Sequence, residues 1–583
     1  MKVVALISGG KDSCYNMMHC VANDHEIVAL ANLHPALNDP DEMDSWMYQT
    51  VGHDVVPMYA EAMGLPMFRQ VIHGTNVATD LHYTKSEGDE TEDLMLLLSK
   101  VKDAHPDVTA VSVGAIASNY QRLRVEHVAS RLGLTVLAYM WEQNQTKLLQ
   151  SMCDSGLVAI LIKVAAVGLS SKHLGKTLSE MQPTLMRLHS LYEVHPCGEG
   201  GEYETIVLDC PLFIKRLEVV SSAVVELDAD TAHLQLKVAL QPSESQHMRQ
   251  SVWLESLYPQ QGLDEEGIEL LDKLQSSSSK EAAIPIDSRV QQSIDNDMKT
   301  YGHIRSKRIA IYDDSPSLAE LLPGQNDEVL FCLLILRNMG DFATINTQYA
   351  QLFQHVHPPS RVCIATGFTK DPKAKALLYT LSIDKTDVGE DVPAQQDRRL
   401  WVQSRSYWAP SNIGPYSQLT QSSDIAFISG QIGLIPSSME MPDTLEQEIC
   451  WSIHSLYRIM VSQKVEDWYG VVVGYVLDMS RAGKVTQAFQ SRFRREDIQL
   501  LIVELQPGSQ MPRGAEIEWQ TLLCKRQGDV RLRPGLAPKS QMAMSFSTAD
   551  LEQSQDLYWD LRVSRIILDA QAIPAASVVF GTR

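Results

Sequence analysis

Two glycines, a lysine and two serines stand close together near the start of the chain, in the segment Ser8-Gly9-Gly10-Lys11-Asp12-Ser13. Apolar residues 3–7 predict a buried strand before this segment, and residues 14–21 predict a helix after it. Adjacent glycines let a backbone turn sharply and direct its N–H groups at an anion, and a helix N-terminus behind them favours negative charge. Lys11 adds a positive charge, and Asp12 is placed to cap the helix. The segment predicts a phosphate-binding loop rather than an ordinary Gly-Gly turn, although it lacks the Walker spacing.

Carboxylates are concentrated in a second segment, Gly88-Asp89-Glu90-Thr91-Glu92-Asp93, which precedes an apolar run at residues 94–98. Its spacing favours helix capping, with Asp89 as the N-cap and Glu92 at the third helical position. A loop so rich in carboxylates is also able to hold Mg²⁺ or ammonium. The spacing favours helix capping but leaves the binding of Mg²⁺ or ammonium open.

A third group begins where an apolar strand ends at Gly114-Ala115-Ile116, and Ser118-Asn119-Tyr120-Gln121-Arg122-Leu123-Arg124 then begins a predicted helix. Ligands of open α/β sheets bind outside the carboxyl ends of the strands, so Arg122 and Arg124 start near the edge where phosphates would lie. An ion pair between Arg122 and Glu126, four residues further along the same helix, is an equally good explanation of this arginine.

The fourth group is the run His195-Pro196-Cys197-Gly198-Glu199-Gly200-Gly201-Glu202-Tyr203-Glu204-Thr205. So dense a mixture of glycine and glutamate predicts an exposed loop whose backbone is able to approach a ligand closely. The competing interpretation is a hairpin turn between strands at residues 191–195 and 205–208. Cys197 has no evident histidine partner in the sequence, which favours a structural thiol over a nucleophile.

The first of these segments resembles the pyrophosphate-binding loop of the ATP pyrophosphatases, which have the adenine-nucleotide α-hydrolase fold and cleave ATP to AMP and pyrophosphate while adenylating an oxygen acceptor. In order, over residues 1–235, the four segments resemble those of the diphthine–ammonia ligase family, and the second and fourth are the more family-specific. That family amidates the diphthine carboxylate on translation elongation factor 2, the last step of diphthamide synthesis. The resemblance implies ATP, Mg²⁺ and ammonium as small-molecule requirements, and elongation factor 2 as the protein substrate.

The same resemblance, with the residue types, assigns expected roles. Nucleotide-binding positions are Ser8, Gly9, Gly10, Lys11, Asp12, Ser13, Gly114 and Arg122. Catalytic positions are Lys11, Glu199 and Glu202, and substrate-binding positions are Asp89, Glu90, Tyr120, Gln121, Arg124, Gly198, Gly201 and Glu204. Lys11 is expected to offset the charge of departing pyrophosphate. Glu199 and Glu202 are expected to bind ammonium and help to remove its proton, because only neutral ammonia is a nucleophile. No protein ligand for a metal ion is assigned.

The second half contains two sets of motifs. The first is Leu336-Arg337-Asn338-Met339-Gly340-Asp341-Phe342-Ala343 with Pro358-Pro359-Ser360-Arg361-Val362, and the second is Ile413-Gly414-Pro415-Tyr416-Ser417-Gln418 with Ser429-Gly430-Gln431-Ile432 and Pro512-Arg513-Gly514-Ala515-Glu516. Both sets resemble Rid (YjgF-type) domains, whose active members deaminate enamines and imines with an arginine in a Pro-x-Arg motif and a downstream glutamate. The first copy keeps Arg361 but has no glutamate in the expected region. The second copy keeps Glu516 and Glu518, but Asp497-Ile498-Gln499-Leu500 occupies the position of the arginine motif. A binding or assembly role is therefore preferred to a deaminase. A composite site that uses Arg361, and oligomerisation through these domains, are left open.

The predicted fold follows from the order of the apolar runs. Short runs rich in Val, Ile and Leu lie at residues 3–7, 27–33, 67–72, 110–114, 134–138 and 157–164, and helical segments lie at 45–63, 91–104 and 120–132. This order predicts an α/β fold with a Rossmann-like doubly wound parallel sheet, followed by two α+β Rid-like domains. The expected boundaries are a ligase domain at 1–238, a linker at 239–299, Rid-like domains at 300–395 and 400–530, and a tail at 531–583.

Composition narrows the classes of function. The 583 residues carry a formal net charge of −22, which weighs against direct binding of nucleic acid or of anionic membranes. Nine cysteines without a C-x-x-C motif predict reduced thiols and a cytoplasmic protein. Two rival functions remain. A tRNA-modifying ATP pyrophosphatase of the thiolating type is disfavoured by the charge and by the lack of paired cysteines, and a non-catalytic Rid-type scaffold is disfavoured by the intact Ser8–Ser13 loop.

Overall fold

The computed structural model places the chain in two compact units, the first formed by residues 1–262, 403–408 and 436–438, and the second by residues 263–402, 409–435 and 439–583. The residues described are 1–35, 51–80, 83–228, 231–243, 253–254, 256–257, 262–276, 304–312, 327–353, 358–367, 373–384, 398–422, 424–493, 498–505, 507–525 and five short strands between 531 and 579. Among these residues, no helix has the length and apolar character that crossing a bilayer requires.

The first unit contains a five-stranded parallel sheet in the order β3-β2-β1-β4-β5. The strands are β1 (Lys2–Leu6), β2 (Glu26–His34), β3 (Met67–Val71), β4 (Ala110–Ser112) and β5 (Thr135–Leu137). The helices are α1 (Lys11–Ala22), α2 (Tyr59–Met63), α3 (Glu90–Ala104), α4 (Asn119–Leu132), α5 (Gln145–Asp154) and α6 (Leu178–Tyr192), with 3₁₀ turns at Val56–Met58 and Ser171–His173.

Both faces of this sheet are covered, because alternate residues of a strand point to opposite sides. Val4 packs with residues of α3 and α4, whereas Ala5 packs with residues of α1. The predicted doubly wound α/β fold is therefore confirmed. The chain passes from β1 to β2 on one side and returns to β4 on the other, so the order of strands reverses beside the end of β1. Ligands of such sheets bind at this reversal, and the predicted phosphate-binding loop follows β1 there.

Two predictions about the first unit are corrected. Residues 157–164 were expected to be a sixth buried parallel strand, but β6 (Val158–Ala165) pairs antiparallel with β7 (Tyr203–Asp209) and β9 (Thr231–Pro242) in a separate sheet, which β8 (Lys215–Glu226) completes. An apolar run shows burial but not strand direction, which explains the error. The helix expected at 45–63 is described only as a 3₁₀ turn at Val56–Met58 and α2, which ends at Met63 with Gly64 as its C-cap, and residues 45–50 lie outside the described part.

The second unit contains two copies of one four-strand arrangement. In the first copy β10 (Ile304–Ile311), β13 (Ala376–Asp384), β11 (Asp327–Leu336) and β12 (Ser360–Ala365) are adjacent in that order. In the second, β16 (Ile425–Gln431), β19 (Ile517–Cys524), β17 (Tyr469–Val476) and β18 (Ile498–Glu504) repeat the order with the same pattern of antiparallel and parallel pairs. This repetition agrees with two α+β domains of one type.

The remaining elements of the second unit are helices α7 (Glu265–Ser276), α8 (Phe342–Gln351), α9 (Leu445–Ser462) and α10 (Ala482–Arg492), 3₁₀ turns at Met339–Asp341, Met479–Arg481 and Pro512–Gly514, and strands β14 (Arg398–Leu400), β15 (Leu419–Ser422), β20 (Arg531–Leu532), β21 (Met542–Ala543), β22 (Trp559–Asp560), β23 (Val563–Arg565) and β24 (Ser577–Val579). Helix α7 lies within the predicted linker. Most of the rest of that linker, most of the predicted tail, and Asp497 of the altered arginine motif lie outside the described residues.

Candidate active site

The predicted phosphate-binding loop connects β1 to α1. Gly9 has a positive φ of 90°, a conformation that favours glycine, and a Cβ there would lie 2.7 Å from the Ile206 side chain. The Ser8 hydroxyl accepts a hydrogen bond from the Gly10 N–H at 3.2 Å, and the Ser13 hydroxyl donates to the Gly10 carbonyl at 3.0 Å. The N-cap of α1 is Gly10 and makes no side-chain cap, so the expectation that Asp12 caps this helix is wrong. Asp12 lies in the first turn, where the helix dipole favours a carboxylate.

Lys11 connects this loop to the Gly- and Glu-rich segment far along the chain. Its ammonium donates to the Cys197 carbonyl at 2.5 Å and to the Asp12 carboxylate at 2.8 Å, and its backbone N–H donates to the Thr205 hydroxyl at 3.0 Å. Only 3% of Lys11 is exposed. Burial lowers the pKa of this ammonium, but the charge of Asp12 and other nearby groups outweighs it and the pKa is raised overall. A permanent positive charge is therefore fixed at the start of α1.

The Gly- and Glu-rich segment is a loop between a helix and a strand, because α6 ends at Tyr192 and β7 begins at Tyr203. The alternative of a hairpin turn is therefore wrong. Gly198 and Gly201 have positive φ values, as a sharply folded loop requires. The Glu202 carboxylate accepts hydrogen bonds from the His195 N–H at 3.0 Å and the Gly200 N–H at 2.8 Å, so both of its oxygens help to hold the loop in shape.

Glu199 faces the loop that follows β4. Its carboxylate accepts a hydrogen bond from the Ala117 N–H at 3.2 Å. Burial and the nearby negative charge of Asp12 together raise the pKa of Glu199 to about 7, although the positive charge of Lys11 opposes the shift. A carboxyl group that titrates near neutral pH beside a buried ammonium is suited to accept a proton.

Other members of the same segment have clear structural partners. Glu204 belongs to β7 and forms an ion pair with Lys163 at 3.5 Å. Burial raises the pKa of the Cys197 thiol to about 12, and its sulfur donates to the Gln145 carbonyl at 3.4 Å. This environment agrees with the structural thiol that the sequence favoured.

Gly114 lies directly against the phosphate-binding loop. A Cβ at this position would be 2.8 Å from the Ser13 nitrogen and 2.9 Å from the Asp12 carbonyl carbon. The end of β4 therefore approaches the loop more closely than a residue with a side chain allows. Together with the Glu199–Ala117 hydrogen bond, this contact brings the first, third and fourth sequence segments to one place.

Arg122 forms the ion pair that the sequence offered as its alternative explanation. Its guanidinium donates to the Glu126 carboxylate at 2.7 Å and to the Asn119 side chain at 3.0 Å, and it lies over the Trp141 ring at 4.9 Å. Both Arg122 and Glu126 are buried. Its contact with a nucleotide phosphate stays a prediction.

The acidic segment forms a second cluster with α4. Asp89 is the N-cap of α3, accepting from the Thr91 N–H at 2.9 Å, and its other oxygen accepts from the Ala78 N–H at 2.9 Å. Arg124 donates to the Ala78 carbonyl, and its guanidinium stacks 3.2 Å from the centre of the Tyr120 ring. The preferred capping interpretation of Asp89 is confirmed. The substrate-binding roles of Asp89, Glu90, Tyr120, Gln121 and Arg124 stay predictions.

Three residues that contact the phosphate-binding loop had no predicted role in the site. The first two are Thr205, which accepts from the Lys11 N–H, and Tyr203, whose ring lies 5.2 Å from the Lys11 ammonium. The third is Tyr59, whose hydroxyl donates to the Gly9 and Val207 carbonyls. Thr205 and Tyr203 are in the quoted motif, but nothing local marks Tyr59. Within the described residues, no group of three or more His, Cys, Asp or Glu side chains is arranged to hold a metal ion.

A separate cluster in the second unit joins the two incomplete Rid-like copies. Arg361, on β12 of the first copy, donates to the Asn346 side chain at 2.8 Å and lies over the rings of Tyr349 and Tyr416 at 4.7 and 5.4 Å. Burial raises the pKa of Glu518, on β19 of the second copy, to about 8, although the charge of Arg361 opposes the shift. The arginine of one copy and the glutamate of the other are therefore close enough to interact electrostatically.

Comparison with known proteins extends these observations. The diphthamide synthase N-terminal domain matches residues 1–136, and the diphthamide synthase C-terminal domain matches residues 144–240. The diphthine–ammonia ligase of Schizosaccharomyces pombe is 41% identical over 576 residues, which cover 94% of this chain and 92% of the relative. The Bos taurus enzyme of the same name is 60% identical over 233 residues, 40% of this chain and 87% of the relative.

The second half has its own relatives. The 2-iminobutanoate/2-iminopropanoate deaminase of Mus musculus is 31% identical over 117 residues, which cover 20% of this chain and 84% of the relative. The crystal structure of RidA from Psychrobacter sp. PAMC 21119 is matched with a TM-score of 0.19 and 19% identity, covering 20% of this chain and 94% of that chain.

A glycine-rich loop at the reversal of a doubly wound parallel sheet, in the position where such sheets bind nucleotides, is typical of nucleotide-dependent α/β enzyme domains. The 41% identity between this chain and the fission-yeast enzyme extends over 92% of that enzyme, and it identifies the family within this class. The chain belongs to the diphthine–ammonia ligase family, and it is a ligase that forms a carbon–nitrogen bond.

Proposed function

We propose that this chain uses ATP and ammonium to amidate the diphthine carboxylate of translation elongation factor 2, giving diphthamide, AMP and pyrophosphate. The observation that carries the proposal is the contact of Lys11 with both the Asp12 carboxylate and the Cys197 carbonyl, because it joins the predicted phosphate loop to one of the two more family-specific segments. A cytoplasmic location, predicted from the cysteines, belongs to the proposal.

The reaction needs activation because a carboxylate is a poor electrophile. In the first step a diphthine carboxylate oxygen attacks the α-phosphorus of ATP, the bond to the β-phosphate oxygen breaks, and pyrophosphate leaves with the electron pair. In the second step ammonia attacks the carboxyl carbon of the acyl-adenylate, and AMP leaves. The loop Ser8–Ser13 binds phosphate through its N–H groups, and the Lys11 ammonium stabilises the charge that develops on pyrophosphate.

Mg²⁺ fits this arrangement as a companion of the nucleotide. One buried oxygen of Asp12, Oδ1, has no hydrogen-bond partner among the described residues, which suits a carboxylate that would hold the ion. The metal would supply charge neutralisation for the phosphates.

Glu199 is the group best placed to accept the proton of ammonium. Its pKa of about 7 is above that of an ordinary glutamate, so it is protonated at low pH and becomes a proton acceptor as the pH rises through 7. We expect kcat/KM for ammonium to rise through about pH 7, and this limb to disappear in Glu199→Gln while ATP binding is retained. Glu61→Gln, at an exposed glutamate paired with Lys215, serves as the control and should keep the limb. An unchanged pH profile in Glu199→Gln would remove Glu199 from the proton transfer.

The overall function is tested by mass spectrometry of diphthine-bearing elongation factor 2 incubated with the full chain, ATP and isotope-labelled ammonium. The expected result is one labelled nitrogen on the modified histidine and one AMP released for each. Label on tRNA, or no ATP-dependent label at all, would instead support the tRNA-modifying or the scaffold alternative.

We also propose that the Arg361–Glu518 cluster binds a small carboxylate, because the one residue that each Rid-like copy lacks is supplied by the other copy. Glu518 is mostly protonated below pH 8 and does not repel an anion there, so affinity should fall as the pH rises through about 8. Calorimetry with pyruvate should detect binding to the full chain and its loss in Arg361→Lys, which keeps the charge but not the planar fork. Arg398→Lys, at an exposed arginine of β14, is the control. Binding that is equal in both variants would contradict the proposal.

A further inference from the structure

Residues 403–408 belong to the first unit, although they follow the main segment of that unit, residues 1–262, only after a gap of 140 residues in the sequence. The Arg405 N–H donates to the Val136 carbonyl at 2.8 Å, and the Ala138 N–H donates to the Arg405 carbonyl at 2.9 Å. Arg405 thereby forms a parallel bridge with Leu137 of β5. The segment extends the parallel sheet beyond its edge strand and satisfies backbone groups that an edge leaves unpaired.

A buried aromatic contact holds the end of this segment. Tyr407 packs against the rings of His19 and Tyr139, at 5.4 and 5.0 Å between ring centres. Its hydroxyl accepts a hydrogen bond from the Asn23 amide at 2.7 Å. The position of the segment is therefore fixed by packing as well as by its backbone hydrogen bonds.

The beginning of the segment surrounds one carboxylate oxygen. Glu126 Oε1 accepts hydrogen bonds from the Gln403 N–H at 3.0 Å, the Ser404 N–H at 2.8 Å and the Ser404 hydroxyl at 2.5 Å. The other oxygen, Oε2, accepts from the Arg122 guanidinium at 2.7 Å. Glu126 is 2% exposed, and burial of a carboxylate away from water is costly unless hydrogen-bond partners such as these replace the water.

We infer that Ser404 is a positioning residue for the ligase reaction, acting through Glu126 on Arg122. Three donors fix the Glu126 carboxylate, and the carboxylate fixes the direction of the Arg122 guanidinium. Arg122 lies near the start of α4, which begins at the carboxyl edge of the sheet. This inference rests on the proposed function, because it takes Arg122 to contact the nucleotide phosphates. It also means that residues 1–136 and 144–240, which the two family domains match, do not contain every residue that shapes the nucleotide site.

The test is a comparison of full-length variants in ATP–pyrophosphate exchange with diphthine-bearing elongation factor 2 and without ammonium, which isolates the adenylation step. We expect Ser404→Ala to raise the KM for ATP on the order of fivefold, since a hydrogen bond to a charged group is lost. The KM for ammonium in the complete reaction and the melting temperature should stay near those of the wild type. Ser406→Ala is the matched control, because Ser406 is equally buried two residues away and its hydroxyl accepts from the Trp408 N–H rather than contacting Glu126.

A double-mutant cycle separates positioning from simple loss of structure. If Ser404 acts through Arg122, Ser404→Ala should have no further effect on the KM for ATP in an Arg122→Lys background. Equal KM values for Ser404→Ala and Ser406→Ala, or additive effects in the cycle, would overturn the inference while leaving the proposed function intact. An Arg122→Lys variant with an unchanged KM for ATP would instead contradict the nucleotide role of Arg122 on which the inference rests.

Discussion

Replacement of Lys11 by alanine is expected to lower kcat/KM for diphthine adenylation by about 10²–10³, the usual effect of removing one preorganised group that stabilises developing charge. The ammonium is buried at the start of α1 and is held by the Asp12 carboxylate and the Cys197 carbonyl, so the substitution removes a positive charge whose position beside the loop is fixed. ATP–pyrophosphate exchange with diphthine-bearing elongation factor 2 measures this step without ammonium.

The matched control is Lys2→Ala, which removes an exposed lysine from the strand that precedes the loop. Lys2 pairs with Asp107 at the surface, at 2.6 Å, and its loss should leave exchange unchanged. Circular dichroism and a thermal melt should show that Lys11→Ala is still folded. Exchange at the wild-type rate in folded Lys11→Ala would exclude Lys11 from stabilising pyrophosphate.

Replacement of Gly114 by alanine is expected to have the next largest effect, although glycine has no side chain to contribute chemistry. The added Cβ would lie 2.8 Å from the Ser13 nitrogen, and that atom belongs to backbone that has little freedom to move. The loop would shift by some tenths of an ångström, and misplacement of a catalytic group by about 1 Å costs roughly 10²-fold in rate. We expect exchange to fall by about 10–10² and the protein to lose about 1–3 kcal/mol of stability.

Gly483→Ala provides the comparison for this substitution. Gly483 lies within α10, and a Cβ there would meet no atom within 4 Å. Exchange should be unchanged, and stability should rise by up to about 1 kcal/mol because alanine is the better helix former. If Gly114→Ala retained normal exchange, the close approach of β4 to the phosphate-binding loop would have no catalytic importance.

The position of Arg122 illustrates why two explanations of one residue need not compete. The i, i+4 spacing predicted an ion pair with Glu126, and the position after β4 predicted a phosphate contact. The ion pair is present, with both side chains buried. Under the proposed function it orients the guanidinium that the nucleotide then uses.

Local sequence determined much of the first unit. Alternating apolar runs gave the five strands of the parallel sheet, because burial on both faces requires continuous Val, Ile and Leu. The glycine-rich turn after β1 and the N-cap at Asp89 were also predictable, because caps and turns depend on residues a few positions apart. For the second half, the strand pattern indicated only an α+β arrangement, and the resemblance to Rid domains predicted two copies of one unit.

Only the tertiary structure decided how distant segments meet. The sequence could not show that the Cys197 carbonyl accepts from Lys11, since every residue except proline has the same backbone groups and no pattern marks the one that a distant side chain will use. It could not show that β6 is antiparallel, because an apolar run has no direction. Nor could it place Ser404 against Glu126, 278 positions earlier, because that hydrogen bond depends on the docking of residues 403–408 at the sheet edge and not on local spacing.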